Sequence, residues 1–88
     1  MKNFEQMHNI IIESREKISI SGVVSVEEFD ENIIFCVTNC GGLYIRGENL
    51  HVEKLDLEQH ELNLVGVIEC VEYDKKDHKG SFFSKLFK

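Results

Sequence analysis

Apolar and polar residues alternate along this chain with a period of two, and glycine punctuates the alternation. The phrase apolar–x–apolar–x–Gly occurs three times, as Ile18-Ser19-Ile20-Ser21-Gly22, Leu43-Tyr44-Ile45-Arg46-Gly47 and Leu62-Asn63-Leu64-Val65-Gly66. Each copy runs on to a large apolar residue followed by aspartate: Phe29-Asp30, Leu55-Asp56 and Tyr73-Asp74. Period two is the mark of a strand with one buried face. A glycine inside such a run signals a kink, a bulge or a close backbone approach. The copies start 25 and then 19 residues apart, which makes them pseudo-repeats rather than the coils of a regular solenoid.

The pattern predicts an all-β fold. A first strand covers His8 to Glu13. Ile18, Ile20, Val24 and Val26 alternate through Gly22 in one longer, bent strand that ends near Phe29. Asp30-Glu31-Asn32 supplies turn chemistry. Ile33 to Thr38 is apolar on both faces, as in a strand covered on both sides. Asn39-Cys40-Gly41-Gly42 reads as a tight turn, with Leu43 to Arg46 returning as a strand. Leu50 and Val52 alternate again, Glu58-Gln59-His60-Glu61 is a loop, and Leu62 to Tyr73 is a long strand interrupted at Gly66. The expectation is a single two-layer β module over residues 8–74, sandwich or short solenoid-like, of about seven or eight short strands. An N-terminal tail (1–7) precedes it and a basic, aromatic tail (75–88) follows.

Charge divides the chain the same way. The net charge is −6 over 88 residues. Residues 1–74 hold five Lys/Arg against fifteen Asp/Glu, whereas residues 75–88 hold Lys75, Lys76, Lys79, Lys85 and Lys88 against Asp77 alone. An acidic body repels nucleic acid and acidic lipid, and a basic tail attracts both; no nucleic-acid partner is expected of the body. Three cysteines without framework spacing and no apolar leader before Ile10 suggest a cytoplasmic protein.

Candidate chemistry is sparse. Cys36 and Cys40, with His51, His60 and Cys70, invite a metal reading, but four residues of extended strand separate the first pair by about 13 Å. Zinc ligands lie about 2.0–2.3 Å from the ion. Cys36 and Cys70 have the parity of inward-facing strand residues, and a free cysteine behaves as a small core hydrophobe. Cys40 beside Gly41-Gly42 has exposed amides nearby and no histidine implied as a base. Glu27-Glu28, Asp30-Glu31 and Glu58/Glu61 sit in turns or strand ends, with Glu27-Glu28 suited to guarding a strand edge. Asp30, Asp56 and Asp74 are expected to initiate turns. Tyr44 and Arg46 form one exposed stacking pair. These residues predict no catalytic site, no metal and no cofactor.

The tail carries the strongest binding signal. In Gly80-Ser81-Phe82-Phe83-Ser84-Lys85-Leu86-Phe87-Lys88, a short helix capped by Ser81 would gather Phe82, Phe83, Leu86 and Phe87 on one side. Eight residues do not hold a helix alone in water, so the segment needs a surface to dock on. Its own β core and an anionic membrane or membrane protein are the two candidates.

Three runs together carry a resemblance: Ile-Ser-Gly-Val-x-x-Val-x-x-Phe-Asp (20–30), Gly-x-Leu-x-Ile-x-Gly-x-x-Leu-x-Val-x-x-Leu-Asp (41–56) and Leu-x-Leu-x-Gly-x-Ile-x-x-Val-x-Tyr (62–73). Their order resembles the YabP/YqfC family of sporulation proteins from about His8 to Lys88, and the closing segment is nearer its YabP branch. The resemblance implies a small mother-cell protein of late endospore development, linked to cortex formation and to a membrane-protein neighbour, YabQ. It carries over no catalytic residue. The matching positions, Gly22, Gly42, Gly47, Gly66 and the aspartates after large apolar residues, are expected to determine the fold. The expected function is a non-enzymatic assembly or adaptor factor, peripheral to the outer forespore membrane. A self-assembling structural β protein is the alternative, and a thiol- or metal-dependent enzyme a third.

Overall fold

A computed structural model describes residues 7–74. The described chain is all β: β1 (Ile10–Glu13), β2 (Lys17–Ser21), β3 (Val23–Phe29), β4 (Ile33–Thr38), β5 (Gly41–Asp56) and β6 (Glu61–Tyr73). All pairings are antiparallel, in one sheet of order β1-β2-β6-β5-β4-β3.

One connection shows that this sheet is not flat. β2 and β3 stand four places apart, about 19 Å in a flat sheet at ~4.8 Å per strand. Gly22 alone joins them, and two peptide steps span at most ~7 Å. The sheet therefore bends back on itself, and the pairings show where. β2 pairs with β6 only between Glu61 and Val65, and β4 pairs with β5 only between Gly41 and Arg46. The ends of β5 and β6 near their shared turn thus belong with β1 and β2, while their other ends belong with β3 and β4. Each half has four strands, and β5 and β6 run through both.

The chain crosses between the halves three times, at Gly22 and along β5 and β6, and a repeat glycine marks each crossing. Gly47 sits at a register shift against β6, where its amide bonds Asn32 O at 3.0 Å. A Cβ there would lie 1.9 Å from the Val67 carbonyl oxygen, so only glycine lets β5 pass this close to β6. Gly66 lies where two β5 residues, Asn49 and Leu50, bulge against β6, with φ +139 and Asn49 O 2.6 Å from a would-be Cβ. The six apolar positions preceding the three glycines (Ile18, Ile20, Leu43, Ile45, Leu62, Leu64) are all essentially inaccessible to solvent. They form one core with Val23, Ile34, Cys36, Leu50 and Ile68, drawn from both halves.

Several expectations are corrected. There are six strands among the described residues, not seven or eight, because residues 43–46 and 50–56 are one strand carried through its bend by bulges. The fold is one continuous sheet bent into two halves over a shared core, rather than a sandwich of two sheets or a solenoid. The predicted long second strand is two strands, and the turn at Gly22 shifts its phase: Val23 is buried and Val24 exposed. The first hairpin turn after β4 is Asn39-Cys40, with Gly41 and Gly42 already in β5. Cys36 faces inward as expected. Cys70 does not, because the extra residue Glu69 between the Gly47↔Ile68 and Arg46↔Cys70 pairs reverses the parity beyond Ile68. Asp30 and Asp56 do initiate turns: each accepts two backbone N–H bonds from the residues two and three ahead, at 2.7–3.1 Å. The predicted C-terminal helix lies outside the described residues.

Candidate docking surface

A bent sheet of this kind leaves four strand edges: β1 and the distal end of β5 in one half, β3 and the distal end of β6 in the other. A bare edge presents unpaired N–H and C=O groups to any extended chain, and proteins blunt such edges with charge and bulges. Three of the four are blunted. β3 carries Glu27-Glu28 and two register shifts against β4. The β5 edge is interrupted at Glu53, where the register shifts, and ties Lys54 Nζ to Glu61 Oε1 at 3.0 Å. The β6 edge is clasped by Arg15, whose carbonyl accepts from Ile68 N at 2.8 Å while its Nε donates to Ile68 O at 3.1 Å.

β1 differs. It runs Ile10-Ile11-Ile12-Glu13 without a bulge, and among the described residues it pairs with β2 alone. Ile11 is 58% exposed and Ile12 45% exposed. Ile10 packs against the core. The inner side of its sheet half carries Ile12 beside the buried Ile18, and the outer side carries Ile11 beside Ser19.

Its backbone polarity follows from the register. Ser21 N donates to Asn9 O at 2.9 Å, and antiparallel pairs exchange hydrogen bonds at every second residue. Asn9, Ile11 and Glu13 therefore direct their backbone groups at β2, whereas Ile10 and Ile12 direct theirs outward. The base of the strand is held firmly. His8 Nδ1 donates to Ser21 O at 2.7 Å, which leaves Nε2 to accept from the Tyr73 hydroxyl at 2.6 Å. Asn9 N donates to Ser21 Oγ at 2.9 Å. At the far end, Ser14 and Arg15 take φ of 53° and 57°, closing the turn to β2.

The residues singled out for chemistry are dispersed. Cys36 is buried, and burial pushes its thiol up to about 11 from 9.0. Cys40 is exposed in the hairpin turn, its amide bonded to Thr38 Oγ1 at 3.0 Å. Cys70 Sγ lies 3.9 Å from Glu72 Oε1 on the outer face. His60 bonds Val23 O through Nδ1 at 3.1 Å, which ties the β5–β6 turn to β3. Among the described residues, no three His, Cys, Asp or Glu side chains gather at metal-binding distances. Tyr44 does pair with Arg46, whose guanidinium carbon lies 5.4 Å from the ring centre, and the Phe35 ring packs against Tyr44 with centroids 4.5 Å apart. Phe35 also lies over Gly42, where a Cβ would meet its ring at 2.8 Å. Of the predicted docking residues, Lys75, Lys76, Lys79, Phe82, Phe83, Lys85, Leu86, Phe87 and Lys88 all lie outside the described residues.

Sequence reasoning identified the guarded edge at Glu27-Glu28 and passed over the open one. The signal was present: Ile10-Ile11-Ile12 has neither charge, glycine nor proline.

Comparison with known proteins places the chain. The model of the YabP family matches residues 5–80. "Spore protein YabP" of Bacillus subtilis (strain 168) is 37% identical over 86 residues, covering 94% of this chain and 86% of that protein. A match of this extent takes in all six strands and all three crossings, and the chain belongs to the YabP family.

Proposed function

We propose that this chain is a non-enzymatic sporulation protein that acts as an assembly or adaptor factor in late endospore development, at the cortex and coat stage. The relative named a spore protein supports the process. The observation that carries the mode of action is the β1 edge, an unblunted row of backbone donors and acceptors flanked by Ile11 and Ile12. Strand addition to such an edge gives affinity through main-chain bonds, and the side chains beside it give specificity.

In this reading the protein works in the mother cell, and its basic, aromatic tail holds it at the outer forespore membrane. Lys75, Lys76, Lys79, Lys85 and Lys88 face anionic lipid there, while Phe82, Phe83, Leu86 and Phe87 insert or meet a membrane protein such as YabQ. The test is genetic. The gene is deleted in its native spore former, and heat-resistant spores are counted with and without a restored copy. A large loss of resistant spores, recovered by the restored copy, is expected. Resistant spores at the undeleted level, with normal cortex in sections, would overturn the reading.

A further inference from the structure

We infer that the occupant of the β1 edge is a second copy of β1, so that two chains join through a two-fold axis into one continuous sheet. The proposal deepens the docking reading above and rests on the same edge. It follows from the self-complementarity of five residues.

Two antiparallel copies of a strand can pair in only a few registers. Paired residues must share a face of the joined sheet, so Ile10 and Ile12, on the core side, must meet residues of the same parity. Pairing Ile11 with its own counterpart satisfies this condition. It sets Ile10 opposite Ile12 of the second copy, and Asn9 opposite Glu13. Ile10 and Ile12 are also the residues whose backbone groups point away from β2, so the two Ile10/Ile12 pairs each exchange two hydrogen bonds across the axis.

No like charges oppose one another, since each Glu13 faces the amide of Asn9 and the two Glu13 lie at opposite ends. Sliding the pair one way sets Glu13 against the exposed Ile11. Sliding it the other way brings in His8, whose ring is already held by Ser21 and Tyr73. Three registers satisfy parity and hydrogen bonding, and charge together with the tethered His8 favours the Ile11-centred one. At the axis the two Ile11 side chains, each 58% exposed in the single chain, cover one another.

The acidic bodies oppose this union. Two chains of net charge −6 repel, and the repulsion is screened within a Debye length of about 10 Å at 0.1 M salt. Association held by main-chain bonds and apolar contact should therefore strengthen as salt rises, the reverse of an ion-paired interface.

The full-length protein is followed by sedimentation velocity over a range of concentrations at low and high salt. The expected result is a weight-average mass that rises from 10.2 kDa towards twice that value, and rises more at high salt. Ile11→Lys places two lysines face to face at the axis and should hold the protein monomeric; Ile11→Glu should do the same. Mixing the two variants should restore the doubled mass, because the register then sets lysine against glutamate. Ile11 is exposed, so at a concentration where the wild type is monomeric both variants should keep its urea midpoint, which establishes that they are folded; at higher concentration only the wild-type midpoint should rise. Val24→Lys on the guarded β3 edge should change nothing.

A protein that stays monomeric at all concentrations would overturn the proposal. So would a doubled mass that Ile11→Lys leaves intact, as with pairing through residues 75–88. A mixture no larger than its components would overturn the register. The two readings fail separately. Dimer loss in Ile11→Lys with normal spores would reject the edge's role in sporulation and leave self-pairing standing. A monomeric wild type whose Ile11→Lys variant makes defective spores would reject self-pairing and leave the docking reading standing.

Discussion

Replacing Gly47 with alanine tests the bent sheet at its tightest point. The added Cβ would sit 1.9 Å from the Val67 carbonyl oxygen, 3.0 Å from the Val67 carbonyl carbon and 3.1 Å from Leu50 Cδ2. A carbon–oxygen contact relaxes only near ~3.3 Å, so β5 and β6 must part by more than about 1 Å where they cross. That movement pulls Gly47 from two bonds to Asn32 in the β3–β4 turn: its amide bonds Asn32 O at 3.0 Å, and its carbonyl accepts from Asn32 Nδ2 at 3.1 Å. Overpacking costs about 1–3 kcal/mol and each lost hydrogen bond about 0.5–1.5 kcal/mol. The stiffer unfolded chain returns about 0.4–1 kcal/mol. The net is roughly 1–5.5 kcal/mol. A chain of 88 residues has roughly 4–13 kcal/mol in hand, so Gly47→Ala consumes much of the margin. In a urea titration followed by circular dichroism, with a slope of about 1 kcal/mol/M for a small domain, the midpoint should fall by about 1 M or more. Gly41→Ala is the comparison. It has φ +113 but no neighbour within 4 Å of the new Cβ, so it pays the backbone strain alone. A Gly47→Ala midpoint at or above that of Gly41→Ala would refute the close crossing.

Other perturbations probe the core, the buried thiol and the tail. Leu64→Ala empties a fully buried site on β6 and should cost about 2–5 kcal/mol, read as a lower urea midpoint at unchanged slope; a loss under about 1 kcal/mol would contradict its place in the core. Cys36 has its folded-state thiol raised to about 11 from 9.0, so it contributes stability present in full below pH 9 and lost as pH climbs through 11, by about 2–3 kcal/mol. Cys36→Val should remove that part of the alkaline slope, and equal slopes for both proteins would count against a buried neutral thiol. At pH 8 a thiol reagent should label the exposed Cys40 well before Cys36, which should react only as the protein opens. Serine at Phe82, Phe83, Leu86 and Phe87 together should end co-sedimentation with anionic vesicles while leaving the urea midpoint unchanged; a fallen midpoint would place those side chains on the core instead.

The sequence was most readable where a single local rule decides the outcome. Period-two alternation identified Ile18, Ile20, Leu43, Ile45, Leu62 and Leu64, and all six are buried. Asp30 and Asp56 were legible because an aspartate that caps a turn needs only the amides just ahead of it. Parity failed where the chain gains a residue. Glu69 turns Cys70 outward, Gly22 turns Val24 outward, and neither shift is written in the alternation itself. The strand count failed for the same reason, since a bulge bends β5 without ending it and leaves the same pattern as a loop. Lastly, Arg15 reaches Ile68 from a turn 53 residues away in sequence, a contact that no local window contains.

The glycine crossings also explain why one edge can be left open. Because β5 and β6 serve both halves, four edges arise from only six strands, and each needs its own protection. The two distal edges sit close to the crossings, where bulges and the Arg15 clasp already break the row of free backbone groups. β3 starts at a crossing and is bulged twice more along its length. β1 takes part in no crossing, so the bend disturbs none of its backbone, and it is straight, apolar and regular. Protection by bulges is thus a by-product of the bend on three edges, and on the fourth it would have required charge within Ile10–Ile12, where the sequence places none before Glu13 at the strand's end. An acidic body lowers the chance of indiscriminate association at such an edge, and a register fixed by Asn9, Ile11 and Glu13 narrows it further. A lysine at position 11 should therefore cost the protein its partner and not its fold, and the same substitution in the spore former separates assembly from stability.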